Sequence, residues 1–244
     1  MPFPCPAVTI LLPTGGWHLE QQLERPGMIL AIDTATRAVS LALHDGHQVL
    51  AEESWRTENY HTTELAPTLE KLLRRSGVAV GDLRAIAVAR GPGSFTGLRI
   101  GMSLAKGLAL ASSPTLPLIG VPTLDIVAAA QPHRADTLWV VAQAGRGRIN
   151  AGAYGWDGER WQSHEAPFIV GWEDFVSRLK PPVQISGEID PAGRAQLERV
   201  GGHVIIASAA ESLRRAGFLA ELGWERLSAG EVDDPVSLTP IYLH

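Results

Sequence analysis

The chain has 244 residues and a mass of 26.2 kDa, enough for one large domain or two small ones, each with its own core. Hydrophobic residues make up 45% and charged ones 19%, a globular make-up, and the net charge of -5 argues against unaided gripping of nucleic acid, which needs clustered Lys and Arg. The single cysteine, Cys5, excludes an internal disulfide and a cysteine-based zinc site and suits a reducing, cytoplasmic setting.

Residues 1–27 stand apart. Pro2, Pro4, Pro6 and Pro13 interrupt their apolar run and no basic residue precedes it, so a secretory signal is rejected. No later apolar run is long enough to span a membrane. Pro26-Gly27 is a natural break. The segment is therefore expected to be a loosely attached extension, of the kind an upstream start assignment leaves, and a chain beginning at Met28 is expected to fold.

From Met28 the pattern is regular. Met28–Ile32 reads as a buried strand and Val39–Leu43 as a second; Asp45-Gly46 marks a tight turn into a third, Gln48–Trp55. His61–Arg75 carries Leu65, Leu69, Leu72 and Leu73 at helical spacing, with Gly77 placed to stop it. A strand over Ala85–Ala89 leads through Arg90-Gly91-Pro92-Gly93-Ser94-Phe95-Thr96-Gly97 into a helix that reaches Ala111. A strand over Leu116–Gly120 and a helix after Thr123 complete this half.

The second half repeats the order. Strands over Thr137–Ala142 and Arg148–Trp156 precede the turn Asp157-Gly158, a strand over Arg160–Val170 and a helix over Trp172–Leu179. A strand over Val183–Ser186, a helix over Ala192–Val200, a strand over His203–Ala207 and a long helix from Ala209 to Leu227 follow. The two Asp-Gly turns lie 112 positions apart. Antiparallel hairpins feeding parallel strands through crossover helices imply mixed sheets covered by helices, α/β in class. Two such lobes, residues 28–132 and 133–244, describe the duplicated actin-like, sugar-kinase-like (ribonuclease-H-like) architecture. Trp139, Trp156, Trp161, Trp172 and Trp224 read as packing within the second lobe.

The helix ending at Ala111 carries Gly97, Gly101, Ala105 and Ala109, a small residue every four positions and so nearly one face. Glycine inside a helix costs about 1 kcal/mol relative to alanine, so two of them call for a close contact. The loop before it is neither a Walker loop nor a dinucleotide fingerprint. It reads as a tight strand-to-helix turn, stiffened by Pro92 and capped by Ser94 or Thr96.

The first hairpin of each lobe is where the duplicated kinase fold holds phosphate. Asp33-Thr34-Ala35-Thr36 resembles its first phosphate loop, with Ala35 where a glycine would close on phosphate. Gln143-Ala144-Gly145-Arg146-Gly147-Arg148 offers glycines and positive charge but no carboxylate for magnesium. Asp33 and Thr34 are thus weak nucleotide candidates, the alternative for Asp33 being a strand-end residue that caps local backbone donors. His44 and His47 flank a turn and read as surface residues. His61 has no second histidine at metal-binding spacing, and Ser94 has no nucleophile-elbow context. No catalytic and no metal-binding residue is nominated.

Four segments together resemble one family: Met28–Thr34, His61-Thr62-Thr63-Glu64-Leu65-Ala66-Pro67, Arg90–Gly101 and Gly120-Val121-Pro122-Thr123-Leu124. They are similar to the bacterial TsaB (YeaZ) family, across roughly Met28–Ala130, and the closing Pro240-Ile241-Tyr242-Leu243 is similar too. The resemblance implies the duplicated actin-like fold without the metal-binding histidines of the catalytic paralogue TsaD. It implies a non-catalytic, cytoplasmic subunit that pairs with TsaD, meets the ATPase TsaE within the complex, and forms homodimers when TsaD is missing. That complex transfers a threonylcarbamoyl group from its adenylate to the adenosine beside the tRNA anticodon; tRNA is reached only through the complex. No cofactor is required, although weak ATP or ADP binding is allowed. The family pairs through first-lobe helices, which map onto His61–Arg75 and Thr96–Ala111. The expected partner-facing residues are His61, Leu65, Leu69, Leu72, Gly97, Leu98, Gly101, Ala105 and Ala109, with the small-residue face favoured. The family's Asp-Ala-Arg-like second hairpin is Gln143-Ala144-Gly145 here, and a tyrosine expected soon after is Asn150. The rival readings are an ATPase or small-molecule kinase using Asp33 and Thr34, and a peptidase-like protein.

Overall fold

The computed structural model describes residues 27–58 and 61–243. All but the last residue of the expected extension 1–27 lies outside the described residues, as does the side chain of His61. The first sheet is built from β1 (Met28–Asp33), β2 (Ala38–His44), β3 (Val49–Arg56), β4 (Leu83–Ala89) and β5 (Leu118–Val121), ordered β3-β2-β1-β4-β5. β1 pairs antiparallel with β2 and parallel with β4, which α1 (His61–Ser76) makes possible as the crossover. A second crossover, α2 (Phe95–Ala111), joins β4 to β5.

The second sheet has β6 (Thr137–Gly145), β7 (Arg148–Trp156), β8 (Trp161–Ser163), β9 (Phe168–Gly171), β10 (Val183–Gly187) and β11 (Val204–Ile206). Its order, β11-β10-β6-β7-β8 with β9 also on β7, is the order of the first sheet repeated. The duplication read from the hairpins is therefore present strand for strand. Details differ where proline intervenes. The single strand expected over Arg160–Val170 splits into β8 and β9 around Pro167, and β5 starts at Leu118 because Pro117 has no N–H to give a sheet.

The division of the lobes is corrected by their last helices. α3 (Thr123–Ala129), which follows the first sheet in sequence, packs on β6, β7, β8 and β10 of the second. In return α6 (Ala216–Ser228) packs on β1, β2, β4 and β5. The two touch each other between the sheets, while α1 and α2 cover the outer face of the first sheet and α4 (Trp172–Arg178) with α5 (Pro191–Val200) that of the second. Helices on both faces explain why β1 is almost wholly apolar and inaccessible from Ile29 to Asp33. Trp224 consequently belongs with the first sheet, not the second: it lies against Gly46, whose φ of +93° and missing side chain both suit the contact. The same helix buries His44, whose ring centroid is 5.9 Å from that of Trp224, so the surface reading of His44 is overturned; His47 is exposed as expected.

The tail also returns to the first lobe. Asp233 N–H donates to Leu118 O (2.8 Å), Leu238 enters the first core, and Ile241 N–H donates to Arg90 O (2.6 Å). Tyr242 then rests on Phe95, ring centroids 5.0 Å apart, at the start of α2. The long helix expected from Ala209 begins only at Ala216, because 209–215 forms the crossing between lobes.

Candidate partner interface and interlobe cleft

Ser94 caps α2, its Oγ accepting the Gly97 N–H at 3.2 Å. The glycine stripe of this helix faces inward. A Cβ on Gly97 would collide with Thr34 O and one on Gly101 with Thr34 Oγ1, while Ala105 and Ala109 are inaccessible. The Thr34 hydroxyl donates to Gly97 O at 2.8 Å, tying strand end to helix. The close contact inferred from the stripe exists, but its partner is β1 and the turn after it. Gly97, Leu98, Gly101, Ala105 and Ala109 are thus buried in the chain's own core, and so are Leu65, Leu69 and Leu72. Offering them to another protein as an open surface is corrected on that ground.

The outer side of the same helices is different. Phe95 is 54% exposed and Leu110 58%, with Thr96, Arg99, Ser103 and Gly107 exposed between them along α2. A Cβ on Gly107 would meet nothing within 4 Å. Between α1 and α2 runs a groove with Thr62, Ala66, Phe95, Ile100, Ser103 and Leu104 along it and Leu65 at its floor. Its mouth is shaped by the tail: Arg99 stacks on the Phe95 ring, 4.0 Å from its centroid, and donates from Nε to the Tyr242 hydroxyl at 3.3 Å. Gly107 and the exposed Phe95 were the signals available in the sequence; both sat in the helix already singled out, one register over.

Asp33 and Thr34 meet internal partners in the cleft between lobes. Asp33 is fully buried; Oδ1 accepts the Ala35 N–H at 2.9 Å and Oδ2 is ion-paired to Arg214 Nε. The same guanidinium donates to Thr36 Oγ1 (3.0 Å), Ala38 O (2.9 Å) and Glu188 Oε1 (3.4 Å). Glu188 in turn accepts from the Thr36 hydroxyl and, through Oε2, from the Gln143 N–H at 2.9 Å. The first hairpin turn of each lobe is thereby bound to the other through Glu188 and Arg214. Burial works against the charge of Arg214, and the carboxylates of Asp33 and Glu188 overcome it, so its pKa stands above the ordinary value. Asp33 does cap a local donor, and a magnesium nucleotide here would have to displace Arg214. Neither Arg214 nor Glu188 was foreseen: their partners lie up to 181 positions away and no local pattern marks them.

A second, partly buried pair holds α3 to β7. The Tyr154 hydroxyl donates to Asp125 Oδ1 at 2.6 Å, and burial raises the Asp125 pKa above its ordinary 3.8. A carboxyl that binds its proton more tightly folded than unfolded favours folding at low pH and loses that contribution as pH rises. Asp125→Asn should therefore gain stability relative to the parent as pH rises from 3.8 through the raised folded pKa, followed by urea denaturation across that range. A difference between the two that stays constant with pH would contradict it. Among the described residues no group of three or more His, Cys, Asp or Glu is placed to hold a metal ion, and no helix is long and apolar enough to cross a membrane.

Two lobes with the same strand order, their closing helices exchanged between sheets, define a duplicated actin-like, sugar-kinase-like α/β protein whose cleft is filled by its own side chains. A family model described as TsaD, tRNA N6-adenosine threonylcarbamoyltransferase, matches residues 48–186. The tRNA threonylcarbamoyladenosine biosynthesis protein TsaB of Bacillus subtilis (strain 168) is 32% identical over 219 residues, 88% of this chain and 93% of that protein. The protein of the same name from Escherichia coli (strain K12) is 37% identical over 163 residues, 66% of this chain and 68% of that one. The solved structure of YeaZ from Pseudomonas aeruginosa is similar with a TM-score of 0.73 at 26% identity, covering 89% of this chain and all of that one. The chain belongs to the TsaB (YeaZ) family.

Proposed function

We propose that the chain is a non-catalytic, cytoplasmic subunit in the biosynthesis of threonylcarbamoyladenosine in tRNA, and that it docks through the outer faces of α1 and α2 on the catalytic paralogue TsaD. Its relatives' names support the pathway. The docking face rests on one observation above the others: an open apolar groove on α2 beside a helical glycine, Gly107, that the chain itself does not use. A helix without side chains at its surface admits another helix closely. TsaE meets the chain through the assembled complex, and tRNA is acted on only there. With TsaD missing, the same face pairs two copies of the chain. No cofactor is needed for this role.

Co-purification with the paralogue, followed by a tRNA modification assay with and without this chain, tests the reading. Ser103→Arg, which sets a charge in the groove without touching the core, should lower co-purification at least tenfold and modification with it. Full capture of the paralogue by a folded Ser103→Arg protein would sink the docking face.

A further inference from the structure

β1 and β6 end at one edge of the molecule, and the hairpin turns that follow them carry arginines. Arg37 lies in the turn after β1, and Arg56 closes β3 opposite Ala38. Arg146 lies in the turn after β6, and Arg148 opens β7. All four are exposed, and none makes an ion pair, side-chain hydrogen bond or ring stack with another described residue. Arginines elsewhere are in use: Arg134 on Glu211, Arg160 on Glu225, Arg215 on Glu52, Arg226 on Glu231. Arg74, Arg75 and Arg199 are also without ion pairs, but they end α1 and α5, where the helix dipole accounts for them. No such account covers the edge.

The nearby exposed carboxylates are fewer than the arginines. Asp33 and Glu188 are engaged by Arg214, and Asp190 caps α5 by accepting the Gly193 N–H. The exposed acids are Glu58 and, just past Gly171 where β9 pairs with Arg148, Glu173 and Asp174 in the first turn of α4, where the helix dipole accounts for them. Arg90, half-buried at the end of β4 on the same edge, also has a buried Nε with no partner. The Glu188 and Arg214 bridges tie the start of β2 to Gln143 near the end of β6, so the two strand ends that lead to these turns are held together. Gly145 and Gly147 flank Arg146 with open space where a Cβ would be.

We infer that this edge binds the phosphodiester backbone of RNA, which rests on the proposed work within a tRNA-modifying complex. The guanidinium fork matches phosphate oxygens, and the four arginines include no apolar anchor of the kind a protein interface needs. In sequence the edge stands close to the docking groove, Arg56 preceding Thr62 of that groove by six positions. A net charge of -5 makes the edge an accessory grip within the complex and not a free-standing one.

The test uses the complex of this chain with its paralogue and an unmodified tRNA transcript, with binding followed by fluorescence anisotropy across a salt series. The variant Arg37→Gln, Arg56→Gln, Arg146→Asn, Arg148→Gln keeps Asn where the backbone φ is 54°, a conformation asparagine tolerates. It should weaken tRNA binding about tenfold or more and lower the slope of log affinity against log salt by about two to four. Co-purification and melting temperature should not move. A control changing Arg74, Arg75 and Arg199 to Gln should leave tRNA binding as it was. An unchanged slope in an intact complex overturns the inference. So does an equal loss in the control, which would mean bulk charge, or loss of the paralogue, which would make the edge a protein interface. Co-purification of the unaltered chain is scored first, so a failure of the docking reading shows there, apart from any change in the salt slope, which is read only on the intact complex.

Discussion

Arg214→Ala should destabilise the protein by about 3–5 kcal/mol, the usual consequence of removing one member of a buried ion pair. The magnitude follows from what is left behind. The Asp33 carboxylate is inaccessible and would keep only the Ala35 N–H. Thr36 and Ala38 O would each lose a donor, and Glu188 would lose its one cationic partner. Because the side chain spans the lobes, the loss also loosens the link between the first hairpin turns. Arg214→Lys keeps the charge but has no planar fork to reach Asp33, Thr36 and Ala38 together, so most of the loss should remain. Arg214→Met combined with Asp33→Asn removes both charges and should recover part of it. Urea midpoints of the three variants decide the matter. A loss below about 1 kcal/mol for Arg214→Ala would mean that water enters the cleft and solvates Asp33.

The pattern of hairpins and crossover helices was legible because turn chemistry and periodicity are local. Asp45-Gly46 and Asp157-Gly158 announce their turns, and the Leu65, Leu69, Leu72 spacing announces α1. What α3 and α6 cover was not legible. Both are apolar on the faces they bury, and either sheet satisfies such a face; the exchange is settled by the path of the whole chain. The same holds for the cleft. Asp33 could be recognised as a strand-end carboxylate, but the cation that answers it sits 181 positions on, in a crossing segment with no periodicity of its own. The glycine stripe marks a limit of a different sort. Missing side chains say that something comes close, and cannot say whether it is the chain's own strand or another molecule.

That ambiguity is resolved by a pair of substitutions on one helix with opposite expected outcomes. Gly101→Leu forces a Cβ into Thr34 Oγ1, with Thr34 Cβ and Cγ2 only 3.3 Å away and the hydroxyl already committed to Gly97 O. Overpacking of this kind costs about 1–3 kcal/mol, and melting should fall by about 2–4 °C for each of them. Gly107→Leu meets nothing within 4 Å and replaces the poorer helix former, so the isolated protein should gain up to about 1 kcal/mol. Association with the paralogue should respond in the reverse order. The leucine at 107 stands where a second helix would approach and should weaken binding tenfold or more, whereas a refolded Gly101→Leu protein keeps its outer face and should still bind. Thermal melts with co-purification on the same two proteins separate the possibilities. If Gly107→Leu binds normally, the close-approach site lies elsewhere on α2; if Gly101→Leu melts normally and only binding is lost, β1 is not what the stripe was made to fit.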